Sequence, residues 1–203
     1  MIIVHVETLI SKGAFAESAE WRKITEAILE DIAHIDWPPG SGQFTIYPQS
    51  GKKRGEGNGV KPIKDGFMAA LIKRGWNVQE LARVSKGKKP PGDLDAAFDS
   101  RAGLVVLEWE TGNISSSHRS LNKMAMMLLR KEIVAGILVV PSRRLYKWLT
   151  DRIGNFDELV PYFDLWRSIP CEHGILEIVV VEHDAESTEV PRIPKATDGR
   201  ALE

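Results

Sequence analysis

The chain has 203 residues, 43% hydrophobic and 27% charged, with a formal charge of -1, which fits one self-supporting domain and argues against a disordered, collagen-like or disulfide-scaffold protein. A single cysteine, Cys171, excludes an intrachain disulfide and a cysteine-rich zinc cage and fits a reducing compartment. The opening MIIVHVETLI has no basic leader, and no run approaches the roughly 20 apolar residues of a membrane span, so the expectation is a cytoplasmic protein with no membrane partner.

The balanced total hides an uneven distribution: Ser50 to Gly92 holds eleven lysines and arginines against three acids. Such a stretch either tracks phosphates or is a solvated basic loop. In chain order, a short apolar start leads into Trp21, Ile24, Ile28, Ile32 and Ile35, whose steps of three and four predict an amphipathic helix over 14–35. WPPGSG at 37–42 ends it, and GKKRGEGNG at 51–59 has the composition of a mobile loop. A helix is predicted over Lys64 to Arg74, then a turn at KGKKPPG, 86–92, then a strand over Gly103 to Glu110.

Ser115, Ser116 and Ser117 precede Leu121, Met124 and Leu128 at helical spacing, the pattern of a serine-capped helix, and Ile133 to Val140 reads as a buried strand. Strand, helix and strand within this span predict a βαβ crossover with parallel strands. Helices are expected near 142–150 and 156–169 and a last strand over 175–181. From about 183 the chain is polar, with Pro191 and Pro194, and is expected to form a surface tail of a single domain.

The chemistry concentrates where the first strand of that crossover ends. Strand side chains alternate, so Glu108 and Glu110 share one face while Trp109 takes the other, and two acids continue a row begun by Leu104 and Val106. Acids in such a row are costly unless a cation compensates. Asp93, 15 residues earlier beside a turn, is placed to add a third carboxylate, and three hard oxygen donors suit magnesium. The same pattern also describes acids exposed at the end of an edge strand, or a glycosidase pair about 5 to 10 Å apart, and spacing alone does not choose among them.

ETGNISSSHRSLNK at 110–123 closely resembles the segment that follows the catalytic strand of BamHI-like type II restriction endonucleases. FTI at 44–46, NGVKPIK at 58–64, LTDRIGNFDEL at 149–159, PYF at 161–163, IPK at 193–195 and Asp198-Gly199 resemble the same family in the same order. The resemblance covers roughly residues 36 to 199 and is that of a member shortened at its C-terminus. It implies an α/β restriction-endonuclease-like fold of the PD-(D/E)XK type, a mixed sheet of five or six strands flanked by helices.

By this resemblance Asp93, Glu108 and Glu110 are the catalytic carboxylates. Asp93 and Glu108 would hold one or two Mg²⁺ ions, with Glu110 acting on the attacking water where most nucleases of the wider fold place a lysine. A fourth carboxylate falls on Glu80, with Gln79 competing for the position. Asn113, Ser115, Arg119, Asp151 and Arg152 are the implied base readers, and their donor and acceptor types match a G/C-rich site with one A·T step per half. Ser115 has helix capping as its alternative role. Lys64, Lys123, Asp198 and Gly199 are weaker contacts to the backbone or minor groove, and an ordinary exposed helix lysine is the favoured reading of Lys123. His118 is expected to be structural, and Met124, Met126 and Met127 to pack in the core or a dimer interface. The implied function is cleavage of duplex DNA at the palindrome GGATCC by a homodimer, leaving 5′-phosphates and 5′ overhangs, with no nucleotide cofactor. The alternatives are another palindrome, or a sequence-specific DNA-binding module that no longer cuts.

Overall fold

The computed structural model describes residues 1–53, 55–78, 94–150 and 153–194. Its elements are β1 (Ile2–Lys12), α1 (Ala19–Ala33), β2 (Thr45–Ile46), α2 (Lys61–Lys73), β3 (Asn77–Val78), β4 (Ala96–Ser100), β5 (Gly103–Trp109), α3 (Ile114–Leu129), β6 (Ala135–Pro141), α4 (Arg143–Tyr146), α5 (Phe156–Leu159), α6 (Phe163–Arg167), β7 (Gly174–Glu182) and β8 (Ala185–Glu186). Among the described residues a six-stranded mixed sheet runs in the order β1-β7-β6-β5-β4-β3. β5, β6 and β7 are mutually parallel, whereas β1, β4 and β3 pair antiparallel to their neighbours. The expected β5-α3-β6 crossover is present.

Alternation along β5 divides the core in two. Val105, Leu107 and Trp109 face a cluster with Ile28, Ile32, Phe67 and Leu71 of α1 and α2. Val106 faces Leu121, Met124 and Leu128 of α3, with Phe163 and Trp166 of α6. β6 is buried along its full length, as a strand covered on both faces must be. No helix of the described residues is long and apolar enough to cross a membrane.

Several elements differ from the sequence reading. The apolar start is an eleven-residue edge strand, β1, which pairs with β7 near the other end of the chain. α1 begins at Ala19, later than the periodicity implies, because the Ser18 hydroxyl caps it by accepting from Trp21 N. α2 starts earlier, at Lys61, with Pro62 in its first turn, where a missing N–H costs nothing. The span 156–169 is broken into α5, a 3₁₀ turn at Val160–Tyr162 containing Pro161, and α6.

The basic segment expected to be mobile is tied down among its described residues. Gly51 bridges to Thr150 and Asn58 to Leu149, and Asn58, fully buried, donates to the carbonyls of Tyr47 and Trp148. A Cβ on Gly51 would lie 1.8 Å from the Leu149 carbonyl oxygen, so only glycine permits this approach. The polar tail is likewise anchored and does not simply lie on the surface. His183 and Ile193 are buried, β8 pairs parallel with β2, and Asn58 Oδ1 accepts from Ile193 N at 3.0 Å.

Candidate active site

Glu110 N donates to Val139 O at 3.0 Å, carrying the β5–β6 ladder one residue past Trp109. Glu108 and Glu110 therefore share the α3 face of the sheet, while Trp109 packs against Phe67 on the other, ring centroids 5.0 Å apart. Both acids are buried, 9% and 7% exposed, rather than displayed on an edge strand.

A third carboxylate joins them, and it is Asp95. The β4–β5 register pairs Ala96 with Leu107, so one step further Asp95 stands opposite Glu108. Its Oδ2 accepts from Trp109 N at 2.8 Å, and its Oδ1 pairs with Lys64 Nζ at 2.5 Å. Spacing back along the chain from Glu108 points to Asp93 and passes over this residue. The signal that finds it is strand pairing across the hairpin. Asp93 lies outside the described residues, as do Glu80, Gln79, Asp151, Arg152, Asp198 and Gly199.

Two lysines complete the cleft. Lys64, expected as a weak contact to the DNA backbone, reaches the cleft from α2 and is bonded to Asp95. Lys123, favoured as an exposed helix lysine, is instead buried at 7% and pairs with Glu108 Oε1. Its flank of α3 turns toward the end of β5, where an apolar neighbour would leave Glu108 uncompensated. The open cleft measures about 420 Å³ and is lined by Lys64, Asp95, Glu108, Glu110, Arg119 and Lys123 among others.

Burial is the largest influence on Glu108, followed by the neighbouring Asp95 charge. Lys123 and Lys64 offset them only in part, and the carboxyl is pushed up to about 7. Burial also raises Glu110, against a lowering contribution from Gly112 N, which donates to Oε1 at 2.5 Å. Lys123→Met is expected to destabilise the metal-free protein on the order of 3 kcal/mol at pH 8, because it strands a buried carboxylate. The loss shrinks toward pH 6, where a proton neutralises Glu108. Urea unfolding of both proteins in EDTA at the two pH values checks this.

Arg119 lines the cleft and is exposed, and Asn113 and Ser115, next in the chain to its lining residues Gly112 and Ser116, are exposed as well. Asn113, not a serine, is the N-cap of α3: its carboxamide oxygen accepts from Ser116 N at 3.2 Å and leaves the amide NH₂ free of that bond. Ser115 lies in the first turn with an exposed side chain, so the capping role falls away from it. Gly154 N donates to Gly112 O at 2.9 Å, fastening the chain that follows 151–152 to this cleft. His118 packs edge-on to Tyr162 at 4.4 Å and beside Trp166, a structural placement. Met124 and Met127 are in the core and Met126 is exposed.

The donor set suits a hard divalent cation, because three carboxylates open on one polar cleft wide enough for water. Among the described residues no three acids stand as a ready cage, and the ammonium groups of Lys64 and Lys123 balance two of them.

The fold and sequence have known relatives. The structure is similar to the crystal structure of restriction endonuclease BGLII complexed with a DNA 16-mer, at a TM-score of 0.61 and 10% identity over 95% of this chain and 88% of that one, a likeness of fold. The type II restriction enzyme OkrAI of Oceanobacter kriegii is 44% identical over 202 residues, covering 100% of both chains. The type II restriction enzyme BamHI of Bacillus amyloliquefaciens is 34% identical over 96% of this chain and 88% of its own length. The family model described as restriction endonuclease BamHI matches residues 1–200, and with relatives at these identities over nearly the whole chain, the protein belongs to the BamHI family of type II restriction endonucleases.

Proposed function

We propose that this type II restriction endonuclease cuts double-stranded DNA at GGATCC, in the cytoplasm, as a Mg²⁺-dependent homodimer that leaves 5′-phosphates and 5′ overhangs without a nucleotide cofactor. The observation that carries the reading is the convergence of Asp95, Glu108 and Glu110 with Lys64, Lys123 and Arg119 on one cleft, with Asn113 and Ser115 exposed between its lining residues Gly112 and Ser116 in the chain. Exposed Met126, Leu129, Tyr162 and Leu165 on the α3 and α6 side of the sheet favour a second copy of the chain there.

Asp95 and Glu108 are the residues that would hold the metal, which when bound polarises the scissile phosphate and stabilises the charge leaving on the 3′ oxygen. Glu110 takes the proton of the attacking water. Burial raises its basicity, and the Gly112 N–H holds one carboxylate oxygen still. The water oxygen bonds to phosphorus, the bond to the 3′ oxygen breaks, and the departing 3′ oxygen takes a proton from solvent water, giving a 5′-phosphate and a 3′-hydroxyl. Lys64 and Lys123 bring positive charge to a cleft that must accept a phosphate beside three acids. Arg119 has the fork that fits guanine O6 and N7, and the Asn113 amide fits an adenine edge. Asp151 and Arg152 complete the proposed reading set, Asp198 and Gly199 are weaker contacts to the backbone or minor groove, and Glu80 is the proposed fourth carboxylate of the active site.

Asn113→Asp separates its two roles. The carboxylate still caps α3, so stability is expected to hold within about 0.5 kcal/mol. The lost NH₂ donor is expected to cost about 1 to 3 kcal/mol of discrimination at one base pair. Thermal melting together with competition binding against singly substituted sites checks both. The function itself is tested by incubating plasmid DNA with the protein in Mg²⁺, Ca²⁺ and EDTA while sedimentation reports the assembly. Cutting in Mg²⁺ alone by a dimer is expected. Tight binding without cutting in Mg²⁺ favours the binding-module alternative.

A further inference from the structure

A second basic cleft lies beside the catalytic one. It measures about 330 Å³ and is lined by Lys52, Arg143, Tyr146, Lys147, Trp148 and Leu149. Lys52, Arg143 and Lys147 are exposed and have no ion-pair partner among the described residues. The adjacent Arg144 differs, being bonded to Glu182 and Glu186. Arg143 sits over the Tyr146 ring, 5.1 Å from its centroid, which limits the freedom its guanidinium would lose on meeting an anion. Lys52 is brought to this place by the Gly51–Thr150 bridge and the close approach of Gly51 to Leu149, so the cluster is assembled by the fold rather than scattered.

Its position fixes what it faces. β5 and β6 are parallel neighbours, so α4, which follows the end of β6, emerges on the sheet edge where β5 ends in Glu108 and Glu110. Thr150 and Gly154 are four residues apart, a reach of at most about 14 Å, and Gly154 is bonded to Gly112 at the catalytic cleft. Counted from Leu149, which lines the basic cleft, the reach to Gly154 is at most about 18 Å, and since a DNA strand advances 3.4 Å along the axis per phosphate, one duplex can meet both clefts several phosphates apart. Leu145 and Leu149 anchor this region in the α1–α2 core, on the face of the sheet opposite α3 and α6. A second copy on the α3 and α6 side, as proposed above, would put the basic cleft on the side of each subunit away from its partner, toward the outer ends of a bound duplex.

We propose that Lys52, Arg143 and Lys147 clamp backbone phosphates of the DNA flanking the six base pairs that are read, an inference that rests on the DNA-cutting function proposed above. The test compares the parent with the triple variant Lys52→Ala, Arg143→Ala, Lys147→Ala, with Lys147→Glu as a single charge reversal. Each is titrated in Ca²⁺ with duplexes carrying one or eight base pairs on either side of GGATCC, and with scrambled duplexes of both lengths. The parent is expected to bind the long duplexes about tenfold more tightly than the short ones. The triple variant loses that preference, and its salt dependence becomes shallower by about 0.9 per phosphate contact removed. Lys147→Glu loses part of the preference in the same direction. Equal losses on short and long duplexes, or no change on either, overturn the proposal. Because the length effect is read on scrambled DNA too, it stands apart from the function proposed above. That reading fails separately, if the short GGATCC duplex binds no better than its scrambled control.

Discussion

Glu110→Gln is expected to cut DNA between about a hundredth and a ten-thousandth as fast as the parent protein, the range in which a positioned general base contributes, while GGATCC binding in Ca²⁺ stays within a few-fold. The change is nearly isosteric. The amide oxygen still accepts from Gly112 N, and the turn that carries Asn113 is undisturbed. What disappears is an acceptor that takes a proton from water, held in a buried site that raises its affinity for one. Single-turnover cleavage and binding measured on the same preparations separate the two effects. Loss of specific binding by a normally folded Glu110→Gln protein would mean that the carboxylate holds the reading surface rather than acting on water.

Asp95→Asn should be the other severe change, with cleavage falling about 10²- to 10³-fold, while Asp93→Asn changes the rate by less than threefold. Asp95 stands opposite Glu108 and touches both Trp109 N and Lys64, so its charge is built into the cleft. The loss of a hard ligand would remove several kcal/mol of transition-state stabilisation, at 1.36 kcal/mol per tenfold. The variant has a second signature. Asp95 is among the causes that raise Glu108, so removing its charge moves Glu108 back from about 7 toward 4.5. In the metal-free parent, the raised Glu108 favours folding below 4.5 and withdraws that contribution as pH rises through about 7. Melting temperatures in EDTA should therefore fall less over pH 5 to 8 in Asp95→Asn than in the parent. A rate loss in Asp93→Asn and none in Asp95→Asn would return the catalytic position to Asp93.

The strongest parts of the sequence reading are those with local causes. The alternation through Leu104, Val106, Glu108 and Glu110 needs only the pleat of one strand, and α3 and β6 follow from a helical stripe and a continuous apolar run. β1 was not legible, because its strand character comes from pairing with β7 about 170 residues away, and its exposed Ile2 and Val4 obscure the alternation. Asp95 was hidden for a related reason, since its place depends on the β4–β5 register rather than on its distance from Glu108 along the chain. Residue type misleads at Lys123 and gives only half of Asn113. A lysine among helix polar residues is ordinarily exposed, and burial of this one follows from a buried acid on another element. The amide that suits Asn113 to an adenine edge belongs to the same group whose oxygen caps the helix that displays it.

The most direct test of the account is digestion of a DNA of known sequence with Mg²⁺, followed by sequencing of the fragment ends. Ends confined to GGATCC, each with a 5′-phosphate and a 5′ overhang, are the predicted result. Discrete ends at another sequence, or no cutting by a folded protein that binds DNA, would contradict it.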